Sequence, residues 1–245
     1  MNEPSALWLL RHGQSEGNVV RDAAQGTELE LLDIADRDMD VPLSALGREQ
    51  ATGFGRWLGR QPRSAQPDVV LSSPYCRAVQ TAAATLDAAG LDLPTFRDER
   101  LRERELGILD LLTGRGIEAR FPAEAERRRR LGKFYYRPPG GESWVDVALR
   151  LRSLRDSIAR EHSGRRVLLV THEVVIVVVR YLIDDLDEEE TLRLNRQEPL
   201  ANCSLTTYRM GDDARPVMER YGWSAPLEEE GTAVTEEPDA PVASR

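Results

Sequence analysis

Lysine is all but missing from this chain of 245 residues: Lys133 is the single example, and arginine makes up the rest of the 33 basic residues. A phosphate-binding loop of the nucleotide-hydrolase kind needs a glycine-rich lead-in and a following hydroxyl. Gly132-Lys133 has neither, since Phe134 comes next. Nor is there a lysine to spare for a protein-kinase site. The two cysteines, Cys76 and Cys203, cannot build a disulfide framework or a cysteine-rich metal site. No apolar run approaches the roughly 18 residues of a membrane span, and no basic-then-apolar stretch opens the sequence. A cytoplasmic protein without a membrane partner is therefore expected. Excess positive charge is lacking too. The net charge is −9, and without a recognised motif nucleic acid is not an expected partner. Histidine is scarce, at three, so the placement of each is informative.

What is present describes a globular protein, with 40% apolar and 31% charged residues. The length can bury a full core, either as one large domain or as a domain with an inserted cap. From Ser224 onward the chain holds Glu228, Glu229, Glu230, Glu236, Glu237 and Asp239 against Arg245 alone. Three prolines and few bulky apolar residues go with them, so 224–245 is expected to be an acidic disordered tail behind a catalytic domain spanning 1–223. Two segments look like insertions. Arg21–Val41 has seven acids against two arginines and reads as a surface loop or lid. Ile108–Gly141, with Arg127–Arg130 on a solvated face beside Glu124 and Glu126, suits a small cap over a pocket.

Short β-rich runs alternate with longer helical ones, which argues for an α/β fold with a mostly parallel sheet. The expected strands are Leu7–Leu10, Val69–Leu71, Val167–Thr171 and Ser204–Tyr208. The expected helices run from about Ser44 to Gly59, Pro74 to Ala89, Ser143 to Glu161 and Val174 to Ile183. In the third, Trp144, Val147, Ala148, Leu151, Leu154 and Ile158 fall on one face, and Ser143 with Asp146 resembles a capping box. Val174–Val179 is β-branched enough for a strand, but the strand before it and the His172-Glu173 turn favour helix.

In an open parallel sheet, ligands bind beyond the carboxyl ends of the strands. Three expected strand ends carry polar residues suited to an anion: Arg11-His12, Ser72-Ser73-Pro74 with Arg77, and Thr171-His172. A neutral imidazole can attack phosphorus near pH 7, and a neighbouring guanidinium grips phosphoryl oxygens bidentately. With Ser73 as N-cap and Pro74 as first helical residue, Arg77 falls in the first turn, where it opposes the helix dipole by roughly 0.3–1 kcal/mol. That cost makes sense if Arg77 points with the helix amides at a bound phosphate; a solvated arginine paired with an acid is the ordinary alternative. The remaining histidine, His162, is expected at a helix end on the surface.

These blocks, taken together, resemble the histidine phosphatase superfamily, with its phosphoglycerate-mutase-like fold. The run Leu10-Arg11-His12-Gly13-Gln14-Ser15-Glu16-Gly17-Asn18 carries the resemblance first. Pro42-Leu43-Ser44 with Gly47, Gln50 and Ala51 follows, and then Ser72-Ser73-Pro74 with Arg77, Gln80, Thr81 and Ala82. Leu101-Arg102-Glu103 with Gly107, Gly141-Glu142-Ser143 and Val170-Thr171-His172 complete the order. The resemblance implies a three-layer sandwich, a central sheet flanked by helices with a small inserted cap. It also implies His12 as nucleophile, with Arg11, Arg77 and His172 around the phosphoryl group and Asn18 and Ser15 as further contacts. Glu103 would be the general acid and then the base. Glu105 is its competitor, since in a strand the two would share a face. Arg137 or Tyr135 is a candidate for touching the non-phosphate part of the substrate, against the ordinary roles of solvated arginine and core aromatic. Neither metal nor cofactor is required, and the expected partner is a phosphorylated small molecule. One departure stands out: the family usually has glycine after the second histidine, where this chain has Glu173. A phosphatase is the leading expectation, because only 38 residues separate Glu103 from Glu142 and the mutases of this fold have a longer segment there. A phosphoglycerate mutase and a non-catalytic phospho-ligand-binding module are the alternatives.

Overall fold

The computed structural model describes residues 3–211 and 215–237. Six runs form one sheet: β1 (Ala6–Arg11), β2 (Val69–Ser72), β3 (Thr95–Arg97), β4 (Arg166–Thr171), β5 (Leu205–Met210) and β6 (Pro216–Trp223). Their order is β3-β2-β4-β1-β5-β6. The first four strands of that order run parallel, and β5 and β6 add an antiparallel edge. This is the expected α/β sandwich with a mostly parallel sheet.

The strand residues are apolar on both faces because both faces are covered. Leu9, Val69, Leu71, Val167 and Leu169 pack to one side, with α6 (Trp144–Glu161) and α7 (Glu173–Ile183). Leu10, Val70, Leu168 and Val170 pack to the other, against α2 (Ala45–Gly59) and α3 (Cys76–Ala89). Each such side chain, taken fully from water, contributes about 1.5–3 kcal/mol. The six expected face residues of α6, Trp144 through Ile158, are all buried, and Ser143 and Asp146 close a reciprocal capping box. Helix α7 forms despite its valines because residues 173–179 are all buried, and packing outweighs their weaker helix propensity.

Helix α3 starts later than expected. Tyr75, not Ser73, occupies the N-cap, and it makes no side-chain capping bond. The Ser73 hydroxyl is turned toward His172 instead, with Nε2 at 2.8 Å. The acidic insertion begins as helix rather than loop: α1 (Glu16–Ala23) includes Arg21 and is capped by Ser15. The expected cap holds α4 (Gly114–Arg120) and α5 (Pro122–Leu131), packed on a small core of Leu109, Leu112, Ile117, Ala125 and Tyr136. Backbone bonds from Leu32 N–H to Leu111 O (2.9 Å) and from Thr113 N–H to Glu30 O (3.1 Å) tie the acidic insertion to this cap.

Residues 224–237 are not the disordered tail that their composition suggests. Ala225–Glu229 is helical (α9, following α8 at Glu188–Gln197), and Leu227 is wholly buried against the α2–α3 side of the sheet. Glu230 is held by Arg56 and Arg60 of and beside α2. Residues 238–245 of the expected tail lie outside the described residues. Among the described residues no helix is long and apolar enough to cross a membrane.

Candidate active site

Strand register sets the site. Arg11 pairs with Thr171 across β1 and β4, so the two strands end level and the next residue of each is a histidine. His12 N–H donates to Thr171 O at 2.9 Å, and His12 O accepts from Cys203 N–H and the Asn202 side-chain amide at 3.2 and 3.3 Å. The two imidazole rings stand edge to face with centroids 5.1 Å apart, and neither histidine is exposed.

His12 is oriented as a nucleophile would be. Its Nδ1 lies 2.7 Å from Gly13 O. A carbonyl only accepts, so Nδ1 carries the proton and Nε2 keeps the lone pair. Arg77 Nε–H approaches that lone pair at 3.3 Å. The loop behind the ring is tight: Gly13 N–H donates to the Thr81 hydroxyl at 3.0 Å, and a Cβ on Gly13 would stand 2.5 Å from Gly47 O.

The cations expected around an anion are here and buried. Arg11 has no exposed surface; Nη1 donates to Leu200 O and Nη2 to Glu237 O at 2.5 Å. Arg77, 3% exposed, reaches the acidic insertion, donating to Asp38 O at 2.6 Å and to its carboxylate at 3.1 Å. Asn18 sits in the first turn of α1 with its Nδ2 3.4 Å from Glu237 O. Ser15 is the N-cap of α1. Its hydroxyl donates to Asn18 Oδ1 at 2.8 Å and accepts from Asn18 N–H at 3.0 Å, which aims the Asn18 amide. Glu173, the departure after the second histidine, turns its carboxylate to Arg11, with Oε2 3.9 Å from Nη2.

Glu103 is buried and lines a small polar cavity with Arg21, Asp38, Arg104, Glu105 and Asp110. The segment carrying it is not a strand, so the shared-face expectation for Glu103 and Glu105 does not hold. It is an irregular stretch fixed by Glu142, whose carboxylate takes Arg150 Nε at 3.0 Å and Glu105 N–H at 3.1 Å. Arg150 also donates to Glu103 O at 3.3 Å. Glu105 Oε1 accepts from Gly107 N–H at 3.2 Å, capping the next turn. Burial pulls the Arg104 guanidinium down to about 10, helped by repulsion from Arg128. The same two influences hold Lys133 down at about 8, and burial pushes the Tyr75 phenol well up.

Arg137 is not brought to the site. Its guanidinium is two-thirds exposed and paired with Asp146 at the start of α6, the carboxylate that also caps Ser143. Tyr135 is likewise exposed and bonded to Glu188. His162 ends α6, as expected. Sequence reasoning missed Asp38, Glu142 with Arg150, and Glu237. Glu142 had a signal, because it lies in a recognised block; Asp38 and Glu237 each lay in an acidic run with nothing to single them out.

Comparison with known proteins points to one family. The family model described as histidine phosphatase superfamily (branch 1) matches residues 7–224. A 2,3-bisphosphoglycerate-dependent phosphoglycerate mutase of Rhizobium meliloti is 33% identical over 211 residues, covering 85% of this chain and 91% of that protein. The solved mycobacterial glucosyl-3-phosphoglycerate phosphatase, in complex with VO3, superposes with a TM-score of 0.66 at 29% identity, covering 89% of this chain and 99% of that one. A structure described as mycobacterial hydrolase 1 gives 0.67 at 30% identity, with 89% and 98% coverage.

Proposed function

We propose, from the premise that the chain belongs to the histidine phosphatase superfamily, that it hydrolyses a phosphomonoester through a phosphohistidine on His12. The observation that carries this reading is the His12 ring: Nδ1–H is committed to Gly13 O, and Nε2 faces Arg77 Nε at 3.3 Å beside the His172 ring. A donor aimed at the nucleophilic nitrogen also awaits the phosphoryl oxygens that would bond to it.

In the first step the phosphoryl oxygens take Arg11, Arg77, His172 and the Asn18 amide. His12 Nε2 attacks phosphorus, the P–O ester bond breaks, and Glu103 gives its proton to the departing oxygen. In the second, water attacks the phosphohistidine while the Glu103 carboxylate takes its proton. The P–N bond breaks, returning Nε2 and inorganic phosphate. Glu142 and Arg150 serve by fixing the backbone that carries Glu103.

Curated relatives carry mutase names and the solved neighbours carry both phosphatase and mutase names, so mutase is the second reading. The short connection, residues 104–141, favours transfer to water. The test is a panel of phosphorylated metabolites with phosphate release as readout, His12→Ala as control and trapping of 32P on His12 in an alkaline denaturing quench, which the acid-labile P–N bond survives. Release of phosphate, trapped label and loss of both in the variant are expected. Interconversion of 2- and 3-phosphoglycerate without net phosphate release would replace this reading by mutase. Failure to label His12 with any substrate would leave a binding module.

A further inference from the structure

The strongest donors of the candidate site are already satisfied by the chain itself. Glu237 O accepts from Arg11 Nη2 at 2.5 Å and from Asn18 Nδ2 at 3.4 Å, two of the groups assigned above to phosphoryl oxygens. The Glu237 carboxylate accepts from Gln14 Nε2 at 2.6 Å, beside the nucleophile loop. A carbonyl flanked by a carboxylate thus stands where an anionic ligand would take the same donors.

The approach of this segment is built, not incidental. Glu230 is clamped by Arg56 and Arg60. Thr232 N–H returns to Leu227 O at 2.9 Å, and Val234 packs against the core beneath α2 and α3. Gln50, which holds Gln14 N–H through Oε1 at 2.8 Å, uses its Nε2 on Ala233 O and the Thr235 hydroxyl, both at 3.0 Å. Asn202, which holds His12 O, accepts from the Thr235 hydroxyl at 2.9 Å and donates its N–H to Thr235 O at 2.8 Å. The same two side chains therefore anchor the nucleophile loop and the segment that covers it.

Access matches the contacts. His12 and Arg11 have no exposed surface, and the cavity beside Glu103 measures about 10 Å³, room for a single water. A cavity of about 440 Å³ exists elsewhere, between α2 and the β5–β6 edge, so closure is local to the site rather than general to the fold.

We propose that residues 231–237 form an internal ligand that competes with phosphorylated substrate for Arg11 and Asn18. The segment must leave before a phosphoryl group can bind, and Thr235, through Gln50 and Asn202, sets how often it leaves. The proposal rests on the assignment of Arg11 and Asn18 to the phosphoryl group, but not on hydrolysis. Apparent affinity falls in proportion to the open fraction, so a segment seated in nine molecules of ten weakens binding about tenfold.

The experiment is calorimetric titration with inorganic phosphate, which needs no turnover, of the full chain and of a chain ending at Thr235. That chain keeps every anchor through Thr235 and loses the Glu237 carbonyl. Thermal melts of both establish folding, and Thr235→Val in the full chain gives a second reading should the shortened chain fail to fold. Expected is about tenfold tighter phosphate binding by the shortened chain and a several-fold gain for Thr235→Val. Affinities within twofold of the full chain would overturn the proposal. No phosphate binding by any of the three would overturn the assignment of the phosphoryl site, and this proposal with it.

Discussion

Gly47→Ala sets two effects against each other, and the structure decides between them. Gly47 lies in the first turn of α2, where alanine would ordinarily be the better residue by up to about 1 kcal/mol. A Cβ there, however, would stand 1.9 Å from Gln14 O and 2.9 Å from Gln14 N, so it meets backbone and not the end of a flexible side chain. The carbonyl distance is about 1.5 Å short of ordinary van der Waals contact. The Gln14 peptide cannot retreat freely, because its N–H is bonded to Gln50 Oε1 at 2.8 Å and its C=O to Ser44 N–H at 2.9 Å. Relief must come from parting α2 and the 13–15 loop, an overpacking strain of about 1–3 kcal/mol or more. The net expectation is a loss of about 1–2 kcal/mol despite the gain in helix propensity. The same movement displaces the Gly13 carbonyl that orients His12, and a misplacement of about 1 Å costs on the order of 100-fold in rate. Urea denaturation and turnover of a generic phosphoester measure the two effects. A variant as stable as the parent, with the parent's kcat, would refute the close approach of Gly47 to Gln14 and the positioning role drawn from it.

Two further outcomes follow from single side chains. Lys133 is the only lysine, so 13C reductive methylation followed by NMR titration reads it beside the terminal amine alone. A midpoint near 8 is expected, against about 10.4 for a free lysine; a midpoint at 10 would refute its burial among Arg128 and Arg104. Between those two values the unfolded chain binds the extra proton, so this residue's contribution makes stability rise as pH climbs from 8 toward 10, a rise that Lys133→Met should lose. Arg137→Ala should leave KM, kcat and melting temperature unchanged, because Arg137 is exposed on Asp146 and Asp146 retains its bonds to Ser143. A several-fold rise in KM would show that Arg137 swings over the substrate.

Much of the frame is legible in local spacing. The apolar runs of β1, β2 and β4, the buried face of α6 and the Ser143–Asp146 cap depend on residues two to four apart, and each forms near its expected bounds. Short or half-exposed elements such as β3 and β6 carry patterns too weak for local spacing to reveal. Composition misleads for the segment after Ser224 because it measures how much apolar surface is available, not where it goes. One side chain, Leu227, finds a complete pocket, and two arginines neutralise Glu230.

Sequence by itself determined which chemical groups stand at the strand ends: Arg11-His12, Ser73 with Arg77, and Thr171-His172, with Glu103 in a recognisable block. Their identities follow from local order, and no packing is needed to read them. Only the tertiary structure decided how they meet. The β1–β4 register sets His12 beside His172, Glu173 turns to Arg11, and Asp38 arrives on Arg77 from an acidic insertion. It also decided that Arg11 donates to Glu237, 226 residues away along the chain. Contacts at that separation leave no periodic trace in the sequence, since they are fixed by how helices and strands pack and not by the spacing of neighbours.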